Sequence, residues 1–316
     1  MTSKKYLLLA FKILILLLTS FYIVSRIWQN LSDLKRISFQ INDIILLLVA
    51  FLLYMLFFAI KVLNWHLILR QFNRSIPFGN SAKIWFGSQT IKYIPGKIWF
   101  LVGRFYLANK ELTHPVVFIA SFIEILLMLI SGMLIFLIFG RLSELVQLPL
   151  DLRSDVFILL AVLGALVAIH PFFLQIYQNI SSRLFRQPRE RINLKFQFLL
   201  MLLLIYGLNW LLFGFSNYLL MLSFSELPIH YLIQIVGIFA ISYVIGFLSF
   251  LTPGGIGVRE SVQVYFLSGL IPHPITALIA VISRIFWISC EVIGAGIFVG
   301  VRRILTLKRT RLSEND

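Results

Sequence analysis

The feature that most constrains this chain is a series of apolar runs, each about as long as a bilayer is thick. A helix that crosses the hydrocarbon core needs about 20 mostly apolar residues. The runs are rich in Leu and Ile and lack the strict alternation of a membrane β-barrel. The sequence therefore predicts an all-α, polytopic membrane helix bundle. The predicted spans are 6–25, 44–63, 116–139, 155–178, 196–223, 231–251 and 274–300.

Composition excludes a soluble protein. Hydrophobic residues make up 59% of the chain and charged residues 13%, with a mean hydropathy of +0.93. A soluble domain carries about 25% charged residues, so this chain has too little polar surface to cover a globule in water. We predict one integral membrane domain over residues 1–316.

The net charge of +15 is interpreted as a topology signal. In a soluble protein it would indicate nucleic acid, but here the cations lie between apolar runs, as the positive-inside rule describes. Residues 61–110 hold eight cations and no acid, which predicts a cytoplasmic location. The basic tail 302–316 predicts a cytoplasmic C-terminus, and the N-terminus is also expected inside. Nucleic acid is excluded as a partner.

Two further apolar segments, near 84–108 and 252–272, are interrupted. If both only re-enter the membrane, seven crossings put the basic tail outside. If 252–272 crosses as a short or broken helix, eight crossings keep the tail inside. We therefore expect about 7–8 spans and favour eight.

Each interrupted segment contains a Pro-Gly break that a cation follows. The first is Pro95-Gly96 with Lys97, and the second is Pro253-Gly254 with Arg259. Pro and Gly break helices, and in lipid the freed backbone groups are tolerated only where they face protein or a water-filled cavity. The recurrence suggests an internal repeat with a binding site near broken helices. The alternative is two ordinary turns at the membrane interface.

The same segments carry a family resemblance. The runs 92–99 (KYIPGKIW) and 253–260 (PGGIGVRE) resemble the two signatures of the lysylphosphatidylglycerol synthase transmembrane-region family, also called flippase-like domain proteins. The resemblance implies a membrane part that moves a lipid between leaflets, in the inner (plasma) membrane of a bacterium. The best-understood relatives add a soluble aminoacyl-transferase domain. This chain ends at Asp316, soon after its last span, so we expect neither that domain nor its synthase activity.

One departure from the family concerns the span 116–139. Similar members often carry an acidic-basic pair there, whereas here Ile125 follows Glu124, which leaves the role of Glu124 open. The family's Arg in the last span is matched by Arg284. Arg284 and Glu291 share a helix face, because seven residues rotate through about two turns.

The candidate site consists of charged residues and the two breaks. A charge at the centre of a span costs about 2.5–3.5 kcal/mol and usually faces a cavity or a partner. We expect cations and glycine amides to bind a lipid phosphate, with the two acids orienting the arginines or meeting a cationic headgroup. The alternative is that Glu260 and Arg284 only neutralise each other. The candidates are Lys92, Pro95, Gly96, Lys97, Arg104, Glu124, Pro253, Gly254, Gly255, Gly257, Arg259, Glu260 and Arg284.

Three function classes follow. The first is a flippase-like protein for a phospholipid or a polyprenyl-phosphate-linked lipid. The second is a non-catalytic membrane partner of a separate lipid or glycosyl transferase. The third, an embedded transferase, is disfavoured because the loops are short and hold no paired carboxylates. The scattered histidines and the single Cys290 predict no metal site, and we expect no cofactor.

Overall fold

The computed structural model describes residues 41–72, 76–92, 99–141, 162–163, 170–187, 194–249 and 252–300. These ranges contain helices and turns but no strand, as expected for an all-α membrane protein. The predicted span 6–25, most of 155–178 and the tail 302–316 lie outside them.

The described ranges contain nine α-helices, two short helical turns and the connections between them. In chain order the α-helices are α1 (Ile41–Arg70), α2 (Phe78–Ile91), α3 (Trp99–Ala108), α4 (His114–Arg141), α5 (Pro171–Phe185), α6 (Phe196–Leu222), α7 (Tyr231–Leu248), α8 (Val258–Leu267) and α9 (His273–Ala295). A 3-10 turn, Pro253–Gly255, precedes α8, and a π-helical turn, Gly296–Gly300, follows α9.

Five predicted spans are confirmed as helices that are long and apolar enough to cross a membrane: those in α1, α4, α6, α7 and α9. Helix α1 runs on to Arg70, seven residues past the predicted end of its span. The end of the predicted span 155–178 falls in α5, which continues to Phe185. The total number of crossings stays a prediction.

The long helices pack closely where small and polar residues lie between them. A Cβ atom on Gly214 of α6 would lie 2.5 Å from the Cα atom of Val236 on α7, so only glycine fits there. The hydroxyl of Tyr54 on α1 donates to Oδ1 of Asn217 on α6 over 2.6 Å. Such contacts are typical of membrane bundles, where apolar burial alone does not drive helices together.

The two interrupted segments form shorter helices. Helix α2 has 14 residues and α3 has 10, and the two pack against each other. Helix α8 also has 10 residues. At 1.5 Å per residue these helices span roughly 15–21 Å, which is less than the roughly 30 Å of the hydrocarbon core. Both segments therefore bring helix ends into the bundle.

Candidate functional site

A cavity of about 90 Å³ lies where the two interrupted segments meet the long helices. By a comparable measure one water needs roughly 10–15 Å³, so the cavity can hold several waters or one small polar group. Most of its wall is apolar and aromatic. The charged residues in its lining are Lys61, Lys92, Arg104, Glu124, Arg259 and Arg284.

Seven of the residues singled out in the sequence line this one cavity: Lys92, Arg104, Glu124, Gly254, Gly255, Arg259 and Arg284. They come from five parts of the fold: the end of α2, helices α3 and α4, the glycine turn with α8, and α9. Pro253, Gly257 and Glu260 belong to the same turn and to the start of α8 but are not in the lining. Pro95, Gly96 and Lys97 lie outside the described residues.

The second Pro-Gly break is a turn whose backbone conformation favours glycine at three positions. Gly254, Gly255 and Gly257 have φ angles of 59°, 70° and 85°, in the left-handed region where other residues are strained. A Cβ atom on Gly255 would lie 2.6 Å from the carbonyl oxygen of Gly246 on α7. The turn thus packs directly on the backbone of α7 and leads into the positive end of the α8 dipole.

Glu260 fixes the start of α8. Its Oε2 accepts the backbone N–H of Gly257 over 2.6 Å, which satisfies one of the amides that a helix leaves unpaired at its beginning. Its Oε1 lies 3.7 Å from Nη1 of Arg284. Nη2 of Arg284 donates to the carbonyl oxygen of Gly254 over 3.2 Å, and this links α9 to the glycine turn. Arg284 therefore lies near Glu260 and also lines the cavity.

Glu124 has a basic partner from another helix. Nη1 of Arg104 on α3 lies 2.5 Å from its Oε2, and Nε1 of Trp85 donates to its Oε1 over 2.7 Å. Arg104 also donates to the hydroxyls of Ser88 and Ser121. Glu124 is therefore paired, although Ile125 rather than a basic residue follows it in the sequence. The same ion pair balances the charge of Arg104.

Lys92 is paired with an acid from the last long helix. Its Nζ bonds to Oε1 of Glu291 on α9. Nε1 of Trp287 donates to the same carboxylate oxygen over 2.7 Å. The polar face predicted for Arg284 and Glu291 thus carries one residue of the cavity wall and one residue that pairs with Lys92.

Lys61 lines the cavity, although the sequence predicts it as one of the cytoplasmic cations of residues 61–110. It lies within α1, is 4% exposed, and its ammonium lies close to four aromatic rings. Its Nζ donates to the hydroxyl of Tyr243 over 3.3 Å and lies 3.8 Å from the sulfur of Met128. No carboxylate of the described residues lies within ion-pair distance of it. The four rings, with distances from Nζ to the centroid, are Phe57 at 5.3 Å, Trp85 at 5.7 Å, Tyr243 at 4.9 Å and Trp287 at 5.2 Å.

The apolar run 44–63 contained the signal that could have identified Lys61. The run ends just after Lys61, and the helical pattern continues through Trp65 and Ile68, both buried. A cation nine residues before the end of a long apolar helix is a candidate for a buried position.

Arg259 is the second buried cation that has no carboxylate within ion-pair distance among the described residues. It is 3% exposed, and its guanidinium lies 4.4 Å from the ring centroid of Trp287 and 5.6 Å from that of Tyr243. Its Nη2 has no hydrogen-bond partner among the described residues. A buried donor without a partner costs free energy, so this atom is available to donate to a molecule in the cavity.

The arrangement can bind an oxyanion. Guanidinium groups donate paired hydrogen bonds to phosphate oxygens, ammonium groups add point charges, and aromatic walls exclude water. The described residues contain no group of three or more His, Cys, Asp and Glu side chains that could hold a metal ion.

Comparison with known proteins agrees with this picture of a membrane domain. The family model described as the lysylphosphatidylglycerol synthase TM region matches residues 7–289, which is most of the chain. The match includes the described parts of both interrupted segments and the lining of the cavity. No curated protein matches the chain significantly. Since the family model covers far more than half of its length, this integral membrane chain belongs to the lysylphosphatidylglycerol synthase TM region family.

Proposed function

We propose that the cavity binds the phosphate-bearing headgroup of a lipid and that the protein moves this lipid between the two leaflets. The observation that carries the proposal is Arg259, a buried guanidinium in the cavity wall. Among the described residues, its Nη2 has no hydrogen-bond partner and no carboxylate lies within ion-pair distance of it. A phosphate oxygen would supply both the missing acceptor and the missing negative charge.

The composition of the wall supports a lipid rather than a fully water-soluble solute. Trp85, Phe247 and Trp287 line the cavity together with the cations. An apolar wall with a few polar groups suits a headgroup whose acyl or prenyl chains stay in the surrounding bilayer. The membership of a lipid-related family supports the same direction.

The two interrupted segments support movement rather than static binding. In many transporters, broken helices meet near the middle of the membrane, and the repeats that carry them rock about the bound substrate. The sequence has no glycine-rich nucleotide loop, so movement runs downhill, uses an ion gradient or depends on a partner that supplies energy. We further propose eight crossings, both termini in the cytoplasm, and the inner membrane of a bacterium as the location.

The alternative is a non-catalytic partner that presents the lipid to a separate transferase. Both functions need the headgroup site, but only the first needs transport. Lipid translocation by the purified protein therefore separates them.

The test uses liposomes that contain the purified full-length chain and labelled phosphatidylglycerol, aminoacylated phosphatidylglycerol or polyprenyl phosphate. A labelled neutral glycolipid is the substrate control. We expect translocation of at least one phosphate-bearing lipid, none of the glycolipid, and loss of the activity in Arg259→Gln. Arg183→Gln is the matched variant, because Arg183 is an exposed arginine on α5 outside the cavity.

If the folded wild-type protein binds these lipids but moves none of them, the transport function is refuted and the partner function is supported. A folded wild type that neither binds nor moves them would overturn the headgroup site as well.

A further inference from the structure

Five cations line the cavity, and the structure pairs three of them with acids. Each of the three has a carboxylate oxygen within 4.0 Å. The pairs are Lys92 with Glu291, Arg104 with Glu124, and Arg284 with Glu260. Lys61 and Arg259 have no such partner among the described residues.

Lys61 and Arg259 line the same cavity and approach the same two aromatic rings. The Nζ of Lys61 and the Cζ of Arg259 lie 5.2 Å and 4.4 Å from the ring centroid of the same residue, Trp287. Both also approach the ring of Tyr243, at 4.9 Å and 5.6 Å. The aromatic rings attract each cation but supply no net negative charge. The two cations therefore face one small, mostly apolar cavity without a carboxylate in ion-pair distance among the described residues, which is unfavourable without an anion.

We infer that the headgroup is a phosphate with two negative charges, as in a terminal phosphomonoester, rather than a phosphodiester with one. The inference rests on the proposed headgroup site and specifies its ligand. A phosphomonoester has a second pKa of about 6, so it carries close to two charges at neutral pH and offers three acceptor oxygens. The two negative charges would balance the two unpaired cations. One of the three oxygens would accept a hydrogen bond from Nη2 of Arg259.

A lipid phosphomonoester and free inorganic phosphate share this chemistry. The wall of Trp85, Phe247 and Trp287 favours the lipid, because an apolar lining would contribute little to binding a fully hydrated ion. The experiment therefore includes both.

The test measures binding of two short-chain lipids to the purified full-length protein in detergent at pH 8. Dihexanoyl phosphatidic acid is the monoester. Dihexanoyl phosphatidylmethanol has the same chains and the same phosphate, with one charge removed by a methyl group. We expect the monoester to bind about tenfold more tightly, since one more charge-assisted hydrogen bond distinguishes the two lipids. Inorganic phosphate should compete only at far higher concentration.

Two variants test the residues. Arg259→Gln and Lys61→Met each remove one unpaired charge while keeping a side chain of similar length. In each, the preference for the monoester should shrink to about twofold or less, while the diester loses less affinity than the monoester. Arg183→Gln should keep the wild-type ratio. Size-exclusion chromatography and circular dichroism establish that each variant is folded.

The outcomes separate the inference from the proposed function. If the two lipids bind equally and Arg259→Gln weakens both alike, the two-charge inference is overturned while the phosphate site stands. If inorganic phosphate binds as tightly as phosphatidic acid, the lipid as source is overturned. If neither lipid binds a folded wild type, the inference and the proposed headgroup site fail together.

Discussion

Arg104 and Glu124 lie 20 residues apart on different helices, yet Nη1 of the arginine is 2.5 Å from Oε2 of the carboxylate. Both side chains are buried. The pair joins α3, from the first interrupted segment, to the long helix α4. It therefore holds one wall of the cavity against the bundle.

Removing the acid from this pair should destabilise the protein. Glu124→Gln leaves the guanidinium of Arg104 buried without a balancing charge, which costs about 3–5 kcal/mol in comparable buried pairs. We expect a clear drop in the thermal unfolding midpoint of the detergent-solubilised protein. The double variant Arg104→Met, Glu124→Leu removes both charges and should recover most of the loss. An unchanged midpoint in Glu124→Gln would show that the ion pair contributes nothing to stability.

Two glycines of α6 should respond in opposite directions to alanine. A Cβ atom on Gly214 would overlap Val236 of α7, so Gly214→Ala should cost about 1–3 kcal/mol of overpacking. Nothing lies within 4 Å of a Cβ atom on Gly207. Gly207→Ala should therefore stabilise the helix by about 0.5–1 kcal/mol. Unfolding midpoints of the two variants give the comparison, and equal effects would contradict the close contact between α6 and α7.

The glycine turn should not tolerate a side chain. Gly255→Ala would strain a residue with a φ of 70° and press its Cβ atom against the carbonyl oxygen of Gly246. We expect the turn to shift and both lipid binding and translocation to fall at least about tenfold, because its backbone forms part of the cavity wall. Gly79→Ala is the control, since nothing lies within 4 Å of the added atom. Wild-type binding by a folded Gly255→Ala protein would refute the role of this turn.

The hydrogen bond between Tyr54 and Asn217 should contribute measurably to the contact between α1 and α6. Tyr54→Phe removes the donor and leaves Oδ1 of Asn217 buried without it, at a cost of about 1–3 kcal/mol. Tyr106→Phe is the matched variant, because Tyr106 is 75% exposed on α3. Denaturation of both variants in the same detergent measures the difference, and a Tyr54→Phe protein as stable as wild type would count against this hydrogen bond.

The predicted topology has a direct test. A reporter fused after Asp316 should signal from the cytoplasm if the chain crosses the membrane eight times. A signal from the opposite side would overturn the eight-crossing prediction and leave an odd number of crossings. The basic residues of the tail 302–316 would then lie outside, contrary to the positive-inside rule.

Much of the fold could be predicted because long apolar runs leave few alternatives in a bilayer. The long helices α1, α4, α6, α7 and α9 follow from run length alone. Run length does not determine where these helices end. Helix α1, for example, continues to Arg70, seven residues past the end of the predicted span. Cations near a helix end are compatible with either a loop or a further turn, and packing decides between them.

The sequence reveals a site residue where a charged side chain interrupts an apolar run. It does not reveal which of these charged residues are paired, because the partners come from other helices. Arg259 is predicted as a charge beside a break, and Arg284 as a charge within the span 274–300. Lys61 is not predicted as a site residue, since positive charge at the end of a predicted span has an ordinary topological explanation. The balanced state of Arg104 depends on Glu124 from another helix, which no local pattern reveals.

The aromatic surroundings of Lys61 have an electrostatic consequence. A carboxylate would hold the ammonium by cancelling its field, but the faces of Phe57, Trp85, Tyr243 and Trp287 hold it through their quadrupoles, which fall off steeply with distance. The rings thus hold the ammonium of Lys61 in position without neutralising its positive charge. In the proposed function, this buried positive charge would attract an anionic headgroup over several ångströms, before any contact forms.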